Sequence, residues 1–392
     1  MTRLTPAISN SIRISRDFLS QPYKFEQGVW TDVAESDLGY LMSPFCPYSL
    51  REEHEAGPWH LVYRGVKKTS VRHLGKRKGD QSLSPGQRFS VPRYIAAQLL
   101  RRADVEPDVE VFREARSVLV TRDGGLGDVF LTLPAVAELL RQNPELQATY
   151  ATVTANIPVI EHCGLGIDAV SLGQVYETGG SFDTVVELAR LVEAADDRAR
   201  THRADIFASR FGLTLSDYSM PYLVREDEGS WAAGLLSDVQ RPLVIVQAAG
   251  SDAVRTPPKE KLQSVILALK GEGFSSVVVD NRLDPGWNVD LNLTGMLDVA
   301  QLMAVLDQGD VVLCGDSGVL HAANALGKRT VGLFGSVKHH LRVKGQPNCV
   351  TIDGNQWTGC PGCNDSPWCG DPGRCLASVP DDVIVGAVLS CR

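Results

Sequence analysis

The sequence predicts an α/β protein with two doubly wound parallel sheets, preceded by a smaller module of different character. Three observations predict it. Strand and helix patterns alternate in two blocks, 114–235 and 236–392. The strands are short apolar runs bounded by charge, as expected of strands covered on both faces. Glycine-rich turns follow several of these strands, at the crevice where open α/β sheets bind ligands.

In the first block, Ser117 to Thr121 reads as a buried strand. Glycines follow, and Asp128 to Arg141 places Val129, Leu133, Val136, Leu139 and Leu140 at helical spacing. Ala148 to Thr154 alternates like a strand, Phe182 to Leu188 is another candidate, and Ala204 to Phe211 reads as a helix. The second block repeats the logic. Leu243 to Val246, Ser276 to Val279, Val311 to Leu313 and Thr330 to Phe334 read as strands. Lys259 to Lys270 and Val299 to Leu306 read as helices, a further helix starts near Ser317, and Asp381 to Leu389 closes the chain.

Residues 1–113 are read as a separate small α+β module. Phe25–Ser43 can be laid on Leu83–Arg101 as a weak duplication in which each copy is a turn, a short strand and a helix. The segment 64–102 is locally basic, with Lys67, Lys68, Arg72, Lys76, Arg77 and Lys78 among its cations and only Asp80 opposing them. It reads either as a solvated loop or as a surface for a polyanion such as DNA.

Composition is that of a soluble globular protein, with 43% hydrophobic and 22% charged residues. A net charge of −8 excludes a protein that is basic overall, so any nucleic-acid surface must be local. No apolar run reaches membrane-spanning length, and the first residues have no signal-peptide core, so a cytoplasmic location is expected.

Four segments carry candidate chemistry. The strongest is Val311 to Gly335, in which a buried strand ends at Cys314 and the turn Gly315-Asp316-Ser317-Gly318 opens a helix. Free N–H groups and the helix dipole make such a start an anion site, and His321 follows one turn in. The plainer reading makes Asp316 or Ser317 a simple N-cap. The second segment, Thr121 to Pro134, has Gly125 and Gly127 in the turn and Asp128 at the head of the next helix. It lacks the third glycine of a dinucleotide fingerprint. Asp128 can serve as a general base or as a helix cap. The third segment, Gln247 to Lys261, offers Gly250, Arg255 and Lys259 to a bound diphosphate. The fourth holds Cys360, Cys363, Cys369 and Cys375, flanked by Trp357 and Trp368, which are expected to shield them. Here a structural Zn²⁺, reduced thiols pinning a loop, and disulfides all stand as readings. Cys314, within its apolar run, reads as a buried free thiol.

These segments, in this order, resemble glycosyltransferase family 9, the heptosyltransferases. The resemblance covers roughly residues 115–392 and rests on GLGDVFLTLPAVAELL, GDSGVLHAANALGKRTVGLFG and the late CPGC with two further cysteines. It implies the GT-B fold, two Rossmann-like domains facing a cleft, with the acceptor on the first and a nucleotide-diphosphate sugar on the second. It implies inverting transfer with no cofactor required for catalysis. Asp128 matches the family's proposed base, with Gly125 and Gly127 on the acceptor side. Asp316, Ser317, Gly318 and His321 match the donor turn, and Arg255 matches its basic contact. Thr256 stands where the family often has tryptophan, and Asp280 to Asp284 gives no clear match to the family's ribose-side acid. The added module at 1–113 suggests an unusual acceptor, either a glycan or a macromolecule such as modified DNA. A sugar-nucleotide epimerase or hydrolase, or a non-catalytic sugar-nucleotide-binding protein, is the alternative.

Overall fold

The computed structural model describes residues 111–391 apart from 179–181, 190, 196–197, 251 and 364–369. Before residue 111 it describes only the backbone of short strands between Thr2 and Pro107. Among those are Thr31–Val33 and Arg88–Val91, one in each copy of the suspected duplication. The helices expected beside them, and the side chains of the basic segment, lie outside the described residues.

The first sheet contains β1 (Ser117–Arg122), which leads into helix α1 (Leu126–Gln142), then β2 (Gln147–Thr152), helix α2 (Ile157–Glu161), β3 (Asp168–Ser171) and β4 (Thr184–Glu187). Its order is β3-β2-β1-β4, all parallel. Val118 and Val120 on β1 and Val129, Leu133 and Val136 on α1 are fully buried, as the helical spacing predicts. Helix α1 starts two residues earlier than expected, at Leu126. Asp128 is therefore inside the first turn rather than at the cap position, which Gly125 occupies. Helix α3 (Arg203–Arg210) and helix α4 (Glu226–Leu235) follow.

The second sheet comprises β5 (Leu243–Gln247), helix α5 (Lys259–Gly271), β6 (Ser275–Val279), β7 (Leu291–Asn292), helix α6 (Val299–Gln308), β8 (Val311–Gly315), helix α7 (Gly318–Ala325), β9 (Thr330–Phe334), β10 (Cys349–Asp353) and helix α8 (Asp381–Ser390). Its order is β7-β6-β5-β8-β9-β10, again all parallel. The strand order reverses between β5 and β8, so the turns after both strands open on one crevice. β5, β8 and β9 are buried at every position, which explains their apolar runs.

One apolar cluster joins the facing halves of the two sheets and includes Val129 and Phe130 with Ile245, Val312 and Leu320. Helices α4 and α6 pack together, as do α1 and α7. A second cluster fills the far side of the second sheet under α5 and α8, where Lys261 and Ser264 both bond Asp381. No helix among the described residues is long and apolar enough to cross a membrane.

Candidate active site in the interdomain cleft

Helices α1 and α7 meet end to end. A Cβ placed on Gly127 would lie 2.7 Å from Cδ2 of His321 and 3.3 Å from Cα of Gly318. One placed on Gly318 would lie 3.0 Å from Cβ of Leu126. Glycine at both positions lets the two helix N-termini approach backbone to backbone. Neither terminus is capped by a side chain: Gly125 has none, and Ser317 makes no cap bond. The Ser317 hydroxyl instead donates to Oε1 of Gln247. In α1 the Asp128 N–H already donates to the Gly125 carbonyl at 3.0 Å; the N–H groups that open the two helices face one place with both dipole ends.

That place is a cavity of about 800 Å³. Its lining brings together Gly125, Gly127, Asp128, Gly250, Arg255, Asp316, Ser317, Gly318 and His321, all drawn from separate sequence segments. Lys259 is not among them. Its amine bonds both carboxylate oxygens of Asp284, at 2.7 and 2.6 Å, and lies over the ring of Trp287.

The turn from Gly315 to Gly318 is held by close backbone packing. The carbonyl oxygen of Arg255 would lie 2.7 Å from a Cβ on Gly315 and 3.3 Å from one on Gly250. Thr256, at the position of the family's tryptophan, takes a different task. Its hydroxyl accepts from Gly250 N–H at 3.1 Å and donates to the carbonyl of Asp252 at 2.8 Å, closing the loop 250–256. Asp316 is buried, with Nε of Arg342 3.4 Å from one oxygen and Nη1 of Arg255 3.9 Å from the other. Its Oδ2 accepts no hydrogen bond among the described residues.

Asp128 is gripped from two sides. Nη2 of Arg122 lies 2.9 Å from Oδ2, and Nη1 of Arg203 lies 2.9 Å from Oδ1. Burial alone would raise its pKa. The two guanidiniums outweigh it and hold the carboxyl below the ordinary carboxylate range. Gly124, at φ +130°, turns the chain beside this pair. His321 is pushed down to about 3, first by burial and then by the positive charge of Arg342 and Arg203, so it is a neutral imidazole at pH 7. Its Nδ1 has no partner among the described residues. At the far wall, Asp280 follows β6 and accepts from Ala249 N–H at 2.8 Å, while Arg282 reaches the carbonyl of Gly250 at 3.1 Å.

Cys360, Cys363 and Cys375 line a smaller cavity of about 160 Å³ with Val254 and Gly373. Cys369 and Trp368 lie outside the described residues. Trp357 is 39% exposed, so it does not shield the thiols as expected. Among the described residues, no group of three or more histidine, cysteine or acidic side chains is arranged to hold a metal. Cys314 is buried and reduced, as the apolar run predicts.

Residues 203–347 match the sequence model of glycosyltransferase family 9 (heptosyltransferase). This stretch is similar to that family. It begins at Arg203 and contains the turn Gly315 to Gly318, while Asp128 lies before it. No curated protein matches the chain. Among solved structures, a family 9 glycosyltransferase from Veillonella parvula is 17% identical with a TM-score of 0.58, over 70% of this chain and 97% of that one. The ADP-heptose lps heptosyltransferase II of E. coli is 12% identical at 0.55, over 70% and 98%. The iron-containing dodecameric glycosyltransferase TibC of enterotoxigenic E. coli is 14% identical at 0.55, over 71% and 76%. At such identities these likenesses speak to the fold, which is GT-B-like as expected. The family match over residues 203–347 supports a glycosyltransferase that uses a nucleotide sugar.

Sequence reasoning missed Arg122, Arg203, Arg342 and Asn156, whose amide donates to the carbonyl of Gly124 at 3.0 Å. Arg122 had a signal: it ends a buried strand, where a charge needs a partner. Arg203 and Arg342 had none, because tertiary folding alone brings them to the cleft.

Proposed function

We propose that the cleft catalyses inverting, metal-independent transfer of a sugar from a nucleotide-diphosphate donor to a saccharide hydroxyl. One observation carries this reading: two uncapped helix N-termini converge on a single cavity with a carboxylate, Asp128, at their junction. The diphosphate sits on the first turn of α7, whose N–H groups and dipole favour an anion. The acceptor lies on the Gly125–Gly127 side. Its hydroxyl oxygen attacks the anomeric carbon, and Asp128 takes the proton. The bond from that carbon to the diphosphate oxygen breaks, and its electron pair leaves with the nucleoside diphosphate. Arg255 and the α7 terminus offset the charge that develops there. A single displacement inverts the anomeric centre. The cations needed by the leaving group are supplied by the chain itself, so transfer should persist in excess chelator.

A saccharide acceptor is favoured by the similarity to the lps heptosyltransferase of E. coli. A DNA acceptor at 64–102 has no observation behind it, since those side chains lie outside the described residues. Incubation with ADP-, UDP- and GDP-sugars and candidate glycans, read by mass spectrometry, tests the reading. Transfer with inverted configuration is expected. Epimerised sugar, or hydrolysis without transfer, would assign the fold to another activity. Asp128→Ala should lose transfer by at least about 100-fold while still binding the donor; transfer at the parental rate would remove Asp128 as the base.

A further inference from the structure

A carboxylate held by two arginines is a poor base, because each guanidinium stabilises its ionised form. The two are not held alike. Arg122 is 4% exposed, donates through Nη1 to the carbonyl of Leu188 at 3.1 Å, and lies over the ring of Phe207. It is fixed in the first sheet's core. Arg203 lines the cavity and is 17% exposed. It is the first residue of helix α3, the end where the dipole disfavours a cation. Asp128 therefore has one permanent partner and one that is poised to leave.

We propose that Arg203 is an exchangeable clamp: it holds Asp128 in the empty cleft and passes to the donor's diphosphate when the donor binds, leaving Asp128 to Arg122 and ready to accept a proton. This rests on the donor reading given above. The exchange is short, because Gly127, the neighbour of Asp128, touches Gly318 at the donor helix start. The charged and titratable groups facing Asp128 are Arg122 from the end of β1, Arg203 from α3 and His321 from α7, with Asp123 behind Arg122 at 3.9 Å. His321 is neutral, so Arg203 is the one cation of this set that borders the donor's place and can change partner. Arg203 keeps its proton throughout. The only proton moved is the acceptor hydroxyl's, which goes to Asp128. Donor binding thereby arms the base, and acceptor attack before donor binding is disfavoured.

The exchange makes Asp128 a competitor of the diphosphate for Arg203. Inorganic pyrophosphate is the probe, since it assumes nothing about the nucleotide base, and its affinity is read by calorimetry on the full chain. Asp128→Asn should bind pyrophosphate roughly 5-fold more tightly than the parent, the scale of one part-exposed ion pair released. In an Arg203→Met background, Asp128→Asn should change affinity by less than about 2-fold. Arg203→Gln replaces Arg203→Met if the latter does not fold. Equal tightening in both backgrounds, or none in the parent, overturns the exchange and leaves the donor site standing. Absence of pyrophosphate binding in every variant overturns the donor site and the exchange with it.

Discussion

Replacing Gly127 by alanine tests the junction on which the site depends. Within a helix this change ordinarily stabilises, by up to about 1 kcal/mol. Here the new methyl would stand 2.7 Å from Cδ2 of His321, well inside ordinary contact. His321 is only 2% exposed and cannot swing into solvent. Gly318 Cα, at 3.3 Å, blocks the other direction. The helix ends must part by several tenths of an ångström, at an overpacking cost of about 2–3 kcal/mol. The net expectation is a loss of about 1–2 kcal/mol after the propensity gain. That is read as a melting temperature a few degrees lower, with weaker pyrophosphate binding. Gly386, in α8, has nothing within 4 Å of its Cβ position, so Gly386→Ala should raise the melting temperature. A Gly127→Ala protein that melts at or above the parental temperature and binds pyrophosphate unchanged would refute the end-to-end contact.

Other outcomes follow from the same geometry. Arg255→Ala should weaken pyrophosphate binding by about 10-fold, the loss of one charge-assisted contact; unchanged affinity would move the diphosphate elsewhere. Lys259→Ala should leave pyrophosphate affinity as it is, because its amine is committed to Asp284, and should barely change the melting temperature since the pair is solvent-exposed. Stability should fall on acidification. His321, at about 3, and His202, pushed down to about 4 mainly by burial, are neutral in the folded state but take protons near 6.5 when unfolded. Their contribution is complete above pH 6.5 and is lost as pH falls towards 3–4, at up to about 1.4 kcal/mol per unit for each. Melting temperatures across that range check it, and His321→Leu should flatten the dependence.

The central strands were legible because burial on both faces writes itself as an apolar run, as at Leu243 to Val246 and Val331 to Phe334. The edges were not. Leu291–Asn292 is two residues long, and Cys349–Asp353 and Asp168–Ser171 are half exposed with mixed sequence. Helix α4 was missed because Ala232 is its only buried residue and two glycines interrupt it. At the site, the glycine turns after strands come together on one cavity, because α/β topology fixes where such turns point. What spacing could not supply was the partner of each charge. Lys259 and Arg255 look equivalent in sequence, yet one answers Asp284 and the other the cavity. Of the arginine pair on Asp128, Arg203 comes from 75 positions away along the chain, a separation at which no local pattern survives.

The most direct test of the central claim is a crystal structure with the nucleoside diphosphate that a thermal-shift screen selects. Its phosphates should lie on the N–H groups of Gly318 and Val319, with Arg255 in contact and Asp128 facing the vacated anomeric position. A diphosphate seated away from the Ser317 turn, on the basic segment 64–102 for instance, would contradict it.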